Sequence, residues 1–167
     1  MSEVALKMIS VGGLKSLSMR KLAQQLKISP STIYNYFRNR DELYLYVLNR
    51  GFELLYEEFR RAYDSQDEPV ARLRAMATAF LRFGKREPNY IGIMFTMDVP
   101  KYRDYIGTKH ERTASYELST ALRVLDFLIL VLYEIAEVNP AIARDDVPYH
   151  AFKISNELIG LVSIINS

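Results

Sequence analysis

The sequence predicts an all-α fold, and three observations support this prediction. Apolar residues recur at three- and four-residue spacing through most of the chain, and no long segment alternates with the period of two that strands require. The 167 residues include only 7 glycines and 6 prolines, so helices are seldom interrupted. Residues 108–139 contain neither glycine nor proline until Pro140 follows them. We therefore expect a small helical head followed by a larger helical body.

The head, residues 1–48, is predicted to contain four helices. The first ends at Gly12-Gly13, which is a helix-stop signal. Ser18 is a good N-cap for the second helix, and Ser29-Pro30 places an N-cap before a proline at the first position of the third. Asp41-Glu42 mark the start of a long fourth helix, because negative charge is favourable at a helix N-terminus.

The body, residues 49–167, is predicted to contain four further helices. Pro69 begins one of them and Pro88 ends it, and a short apolar helix follows over residues 89–97. A long helix occupies most of residues 108–139, and a last helix begins near Pro148. Residues 122–135 are apolar on nearly every side, which predicts burial against more than one neighbour.

The composition is that of a globular protein and excludes several classes of site. The chain is 49% hydrophobic and 25% charged, and it contains no cysteine and two histidines. The absence of cysteine rules out a disulfide framework, a thiolate nucleophile and a cysteine zinc site. His110 and His150 are too far apart in sequence to form a local metal-ligand motif. We expect no metal, no cofactor and no enzyme activity.

Hydropathy gives no sign of a membrane protein. No stretch of the sequence approaches the roughly 18 consecutive apolar residues that cross a bilayer. The first residues lack the basic region and apolar run of a signal peptide. The simplest expectation is a cytoplasmic protein without a membrane partner.

The charge is unevenly distributed along the chain. Residues 1–50 contain eight lysines and arginines against three acidic residues, whereas the rest of the chain is slightly acidic. This asymmetry indicates a polyanionic partner for the head, although on charge alone an ordinary solvated face is the favoured explanation. The pattern of residues favours the first interpretation.

Residues 18–37 have the spacing of a helix-turn-helix unit, in which two short helices are joined by a tight turn. Five apolar residues are placed to lock the two helices together, and these are Leu22, Ala23, Leu26, Ile33 and Phe37. The free face of the second helix then carries polar side chains without an acid, and Arg38 and Arg40 follow it. Side chains of this kind reach base edges and phosphates in a major groove.

The same region resembles the DNA-binding head of the TetR (tetracycline-repressor-like) family over about residues 3–48. The residues that carry the resemblance are Gly13-Leu14, LSMRKLA at 17–23 and SPSTIYNYFRNRDEL at 29–43. The resemblance implies a homodimeric transcription factor that binds a palindromic operator in double-stranded DNA. It implies phosphate contacts at Ser18, Tyr36 and Arg40 and base contacts at Ser31, Thr32 and Asn35. Tyr34 is expected to place its ring in the core and its hydroxyl towards a phosphate.

Lys27 departs from the family pattern, which often has glycine at this turn. A left-handed backbone at a residue with a Cβ costs roughly 1 kcal/mol. We expect that cost here, offset by a contact between the lysine and a phosphate.

The body resembles one branch of the family's regulatory domains more weakly. The resemblance implies that residues 111–138 and 147–166 pair with their copies in a four-helix dimer interface. The residues expected in that interface are Leu122, Leu125, Ile129, Leu158, Leu161 and Ile165. Two very apolar helices in a small chain also expose more apolar surface than one protomer easily covers.

An aromatic and thioether cluster between residues 80 and 105 is the candidate effector site. Its members are Phe80, Phe83, Tyr90, Met94, Phe95, Tyr102 and Tyr105. Small-molecule pockets are mostly apolar with a few polar groups, although each of these side chains could equally belong to ordinary core. Asp98, Lys101, Arg103 and Asp104 are expected to face water, because an unpaired buried charge is costly.

The leading hypothesis is a ligand-responsive repressor, released from its operator by a small and mainly apolar or aromatic effector. The alternative is a helix-turn-helix regulator without such an effector, controlled by a protein partner or by its abundance.

Overall fold

The computed structural model describes residues 1–166. Within them the chain forms eight α-helices and no strand, which confirms the predicted all-α fold. The helices are α1 Ser2–Gly12, α2 Met19–Leu26, α3 Pro30–Tyr34, α4 Arg40–Asp64, α5 Pro69–Arg86, α6 Pro88–Ile91, α7 Glu111–Val138 and α8 Val147–Ile165. A π-helical turn, Gly92–Thr96, follows α6, and short 3-10 turns lie at Leu14–Ser16, Tyr102–Tyr105 and Arg144–Asp146.

The chain packs into two compact units. The first unit contains residues 1–52 and 89–120, and the second contains residues 53–88 and the chain from residue 121 onward. Helices α4 and α7 each begin in the first unit and end in the second. The sequence suggests a functional boundary after residue 48, between the head and the body. That boundary stays a prediction.

Helix caps in the first unit follow the predicted pattern. The Ser18 hydroxyl accepts a hydrogen bond from the Lys21 amide at 3.5 Å, and the Ser29 hydroxyl accepts one from the Thr32 amide at 3.2 Å. At the start of α4, the Asn39 side chain accepts from the Glu42 amide at 3.0 Å. Each cap satisfies an amide that has no partner within its own helix.

The core of the first unit joins α1, α2 and α3 to the first half of α4. Its fully buried side chains include Ile9, Leu22, Ile33, Leu43 and Tyr44. Leu22, Ala23 and Ile33 are buried as predicted and fix α3 against α2, whereas Leu26 and Phe37 are only half-buried. The aromatic rings of Phe37 and Tyr46 lie 5.1 Å apart between centroids, which holds the turn after α3 against α4.

The second unit contains a close approach of α5 to α8. A Cβ added to Gly84 would lie 2.4 Å from Cγ1 of Val162, so only glycine fits at this position. The side chain of Asn166 donates a hydrogen bond to the Gly84 carbonyl at 3.0 Å.

Three helices of the second unit meet at a partly buried ion pair. Arg72 of α5 binds Glu134 of α7 at 3.0 Å, and its guanidinium lies 4.2 Å from the ring centroid of Tyr63 on α4. The Tyr63 hydroxyl donates to the Glu134 carboxylate, and its ring packs edge-on against Phe127 at 5.4 Å. Aromatic packing and the cation–π contact add to the attraction of the ion pair.

None of the helices described within residues 1–166 is long and apolar enough to cross a membrane.

Candidate nucleic-acid interface and effector region

The turn between α2 and α3 is built around a left-handed lysine. Lys27 has φ 54° and ψ 39°, and no other non-glycine residue among those the structure describes has a positive φ. The Ile28 amide donates to the Ala23 carbonyl at 3.0 Å, and the Lys27 amide donates to the Gln24 carbonyl at 3.2 Å. These two bonds form a Schellman motif, in which a left-handed residue ends the helix. The expected left-handed backbone at Lys27 is confirmed.

The face of α3 that points away from the core is polar and acid-free. Ser31 and Asn35 are exposed and Thr32 is half-buried, whereas Ile33 is fully buried against α2. The Ser29 hydroxyl lies 2.7 Å from the Ser31 hydroxyl and 2.8 Å from that of Thr32. The Asn35 amide group makes no hydrogen bond with any other described residue, so both its donor and its acceptor are available.

Tyr34 is not in the core, which corrects the expectation for its ring. The side chain is 50% exposed, and that of the neighbouring Tyr36 is 71% exposed. Successive residues of a helix are rotated by about 100°, so the burial of Ile33 turns Tyr34 away from α2. Both phenols therefore lie on the solvent side of the helix-turn-helix unit.

Basic side chains surround this polar face. Lys27, Arg38 and Arg40 are exposed, and the Arg40 guanidinium lies 3.8 Å from the Asp41 carboxylate. A groove of about 530 Å³ next to Ser18 is also lined by Arg20 and Lys21. These last two residues were not singled out as contacts in the sequence, although both contribute to the excess of basic charge in residues 1–50.

Members of the predicted effector cluster fall in both units. Tyr90, Met94, Phe95, Tyr102 and Tyr105 belong to the first unit, and Phe80 and Phe83 belong to the second. In the second unit the Phe80 ring lies 6.4 Å from that of Phe59.

Within the first unit, three members of the cluster pack on α4. A Cβ added to Gly51 would lie 2.7 Å from both Met94 Sδ and the Tyr90 ring, so Gly51 allows these side chains to approach the helix. The Phe95 ring meets Phe52 edge-on at 5.7 Å. Tyr105 is buried and donates from its hydroxyl to the Asp41 carboxylate at 3.4 Å.

The first unit also contains a half-buried lysine and a buried glutamate that the sequence did not mark as special. Lys101 was expected to face water, but its ammonium donates to the carbonyls of Ile93 at 2.9 Å and Met94 at 3.3 Å. Those carbonyls end the π-helical turn and would otherwise lack donors. Asp98, Arg103 and Asp104 are exposed, as expected.

Glu117 of α7 is the buried glutamate, with 6% of its surface exposed. Burial raises the pKa of its carboxyl to about 7, and the nearby Lys101 ammonium partly opposes that shift. Burial likewise lowers the pKa of Lys101. Glu117 was missed because an acid in the first turns of a helix is usually solvated. The only feature of the sequence that indicates its burial is its three-residue spacing from Ala114 and Thr120, which are also buried.

The residues predicted for the dimer interface lie on helices that expose much apolar surface. Leu122 of α7 is 48% exposed, and Leu161 and Ile165 of α8 are 51% and 55% exposed. The other three predicted residues are half-buried, and these are Leu125, Ile129 and Leu158. Further exposed apolar side chains of the same two helices are Leu130, Val138, Tyr149, Phe152 and Ile164.

Residues 3–47 match the family model of bacterial regulatory proteins of the tetR family. The chain is 28% identical over 81 residues to the HTH-type transcriptional regulator SAUSA300_2515 of Staphylococcus aureus (strain USA300). That match covers 48% of this chain and 44% of the relative, so it extends over less than half of either protein.

Solved TetR-type regulators have the same fold as this chain. The TetR family transcriptional regulator PfmR from Thermus thermophilus superposes with a TM-score of 0.75 at 18% identity, over 97% of this chain and 84% of that one. AibR in complex with isovaleryl coenzyme A and operator DNA superposes with a TM-score of 0.74 at 20% identity, over 97% and 83%.

The exposed basic helix-turn-helix unit lies within residues 3–47, the segment that matches bacterial regulatory proteins of the tetR family. The chain also shares its fold with a solved TetR family transcriptional regulator.

Proposed function

We propose that the chain acts as a homodimeric repressor that binds a palindromic operator through α3 and leaves it when a small effector binds. The observation that carries this proposal is the acid-free polar face of α3, held outward by the burial of Ile33. Each protomer would place α3 in the major groove of one half-site, with half-sites about 34 Å apart or a multiple of that distance.

The exposed side chains divide into two functional groups. Ser31, Thr32 and Asn35 are the proposed base contacts, since their hydroxyl and amide groups hydrogen-bond base edges. Phosphate contacts are proposed for Ser18, Lys27, Tyr34, Tyr36 and Arg40, which surround α3 and are exposed or half-buried. Arg20 and Lys21 extend this phosphate-binding surface along the groove beside Ser18.

The exposed apolar side chains of α7 and α8 support the proposed dimer. Single leucines on a protein surface are common. Several exposed apolar side chains on two consecutive helices are typical of an interface. A dimer through Leu122, Leu161 and Ile165 would remove these side chains from water.

Release by an effector is the finer part of the proposal. The AibR structure contains both an acyl thioester and operator DNA, which supports small-molecule control in a protein of this fold. In this chain the proposed effector contacts are those members of the cluster that lie in the first unit, Tyr90, Met94, Phe95, Tyr102 and Tyr105. They suit an apolar or aromatic group with one or two hydrogen-bonding atoms.

Selection of binding sequences from a random DNA pool tests the proposed function. We expect enrichment of one inverted repeat by the wild-type chain and no enrichment by Ser31→Ala/Asn35→Ala. A variant with Ser119→Ala and Asn156→Ala, which removes two exposed polar groups outside the head, should select the wild-type sequence. Failure of the wild-type chain to enrich any sequence would refute operator recognition.

A thermal-shift screen separates the repressor with an effector from the alternative without one. Ligands that stabilise the fold should also weaken operator binding if they act as effectors. A set of stabilising ligands that leaves operator affinity unchanged would favour control by a protein partner or by abundance.

A further inference from the structure

The second unit has a surface groove whose charge plays no part in DNA binding as proposed above. The groove has a volume of about 770 Å³ and lies between the C-terminal half of α4 and the length of α5. Four arginines line it, with one carboxylate, and we call it the arginine groove. Its arginines are Arg61, Arg74, Arg82 and Arg86.

Three of the arginines stand on one edge of the groove. Arg74, Thr78, Arg82 and Arg86 follow one another at four-residue spacing, so their side chains lie along one side of α5. With a rise of 1.5 Å per residue, Arg74 and Arg82 are about 12 Å apart along the helix. Arg82 and Arg86, which are four residues apart, are like charges close enough to repel each other, so their pairing does not stabilise the helix.

Two of the four arginines have no acidic partner. Glu58, the acid in the lining, binds Arg86 at 2.8 Å and Arg61 at 3.2 Å, and Arg86 also lies 3.5 Å from Glu87. Arg74 and Arg82 form no ion pair with any residue in the part of the chain described. The groove therefore carries an uncompensated positive charge along its length.

The lining of the groove contains small side chains among the charged ones. These are the alanines at 62, 71, 75 and 79, so no long side chain fills the groove at these four positions. Ser65 and Gln66 also line it, and the Gln66 carbonyl accepts from Arg72 at 2.8 Å. The volume of the groove falls within the range of small-molecule pockets.

We infer that the arginine groove binds a soluble small molecule that carries two or more phosphate groups. Guanidinium forks match phosphate oxygens in a bidentate geometry, and two forks about 12 Å apart suit an elongated ligand with several charges. The Thr78 hydroxyl lies between Arg74 and Arg82 and donates to the Arg74 carbonyl at 2.8 Å, so the two arginines are left to supply the donors for the phosphates. This ligand is separate from the apolar effector, and the inference does not depend on that effector.

Isothermal titration of the full-length chain with pyrophosphate, tripolyphosphate and ATP tests the inference. The variant Arg74→Gln/Arg82→Gln should bind the best of these probes at least about tenfold more weakly, since a charged hydrogen bond contributes more than about 1.4 kcal/mol. Arg60→Gln/Arg112→Gln is the matched control, because it removes the same charge from two exposed arginines outside the groove. Arg74→Lys/Arg82→Lys should be intermediate, since it keeps the charge but not the forks.

Several results would overturn the inference. The inference is wrong if no phosphate probe binds at millimolar concentration. It is also wrong if the groove variant and its control lose the same amount of affinity for the probe. Binding of an acidic helical peptide in place of the phosphates would assign the groove to a protein partner. A larger loss of operator affinity in the groove variant than in the control would assign it to DNA.

Discussion

The Tyr44 hydroxyl on α4 donates a hydrogen bond of 2.8 Å to the carbonyl of Pro100. Tyr44 is fully buried one turn into α4, the helix that begins directly after the turn following α3. Pro100 lies in the segment between the π-helical turn and the 3-10 turn that begins at Tyr102. The bond therefore ties that segment to the helix next to the DNA-binding face, within the first unit.

Replacing Tyr44 with phenylalanine tests the contribution of this bond. We expect Tyr44→Phe to lower the free energy of unfolding by about 1–2 kcal/mol, because the Pro100 carbonyl loses its donor. Tyr46→Phe is the matched control, since Tyr46 is 49% exposed and its hydroxyl has no hydrogen-bond partner among the described residues. Urea titration of the three proteins measures the difference, and equal stabilities of both variants would contradict it.

The buried Glu117 predicts a dependence of stability on pH. Its pKa rises from 4.5 in the unfolded chain to about 7 in the folded state, so the folded state binds the proton more tightly. Stability from this group is therefore fully present below pH 4.5 and is lost as the pH rises through 7. Lys101 and Tyr44 are the titratable groups that interact with it.

Substitution of Glu117 by glutamine should remove that dependence. At pH 8 we expect Glu117→Gln to be more stable than the wild-type chain by up to about 3 kcal/mol, with little difference near pH 4.5. Glu157→Gln is the control, because Glu157 is exposed on α8. Thermal unfolding across this pH range measures the effect, and a constant offset between Glu117→Gln and wild type would show that Glu117 ionises normally.

The left-handed turn at Lys27 predicts an order of stability among three side chains. Lys27→Gly should be as stable as wild type or more stable by up to about 1 kcal/mol, because glycine adopts this conformation without a Cβ clash. Lys27→Val should be the least stable, since β-branched residues are true outliers at positive φ. Urea titration tests the order, and a valine variant as stable as the glycine variant would contradict the left-handed backbone.

The sequence predicted the helices and the exposed polar face of α3 better than it predicted buried charge. Caps such as Ser18 and Ser29 act within three residues, so their effect can be seen in a short window of sequence. The error at Tyr34 arose because helical spacing places residues 30, 33, 34 and 37 on one side. A five-residue helix packs only Ile33 against its neighbour.

Contacts between residues far apart in the sequence could not be predicted from local spacing. Nothing local distinguishes Lys101 from the exposed Arg103, because its burial depends on the carbonyls of Ile93 and Met94. The same holds for Glu117, which is buried by the tertiary packing of α7. The Arg72–Glu134 pair joins residues 62 positions apart, and no spacing rule predicts it.

A charge at position 161 tests the proposed dimer. Leu161→Arg should convert the dimer to a monomer, because an unpaired charge buried in an interface costs several kcal/mol. Ile106→Arg is the matched control, since Ile106 is 57% exposed but lies outside α7 and α8. Sedimentation velocity distinguishes the two forms, and an unchanged dimer for Leu161→Arg would place the interface elsewhere.

Asn35 and Arg40 should differ in how their loss affects DNA binding. Asn35→Ala should cost about 1–3 kcal/mol at the specific site and relax the preference for one base there, because its amide is free to bond a base edge. Arg40→Gln should instead weaken binding to every sequence and reduce the slope of log affinity against log salt by about one unit.

Titrations of the operator and of random DNA at several salt concentrations separate the two effects. Arg112→Gln controls for the loss of one charge far along the sequence from the head, and it should leave the salt slope unchanged. Since Asn35 is uncharged, Asn35→Ala should also leave the salt slope unchanged while it reduces the ratio of specific to random binding. An equal loss on both DNAs for Asn35→Ala would remove it from the base contacts. An unaltered slope for Arg40→Gln would show that its guanidinium stays with Asp41 and not with a phosphate.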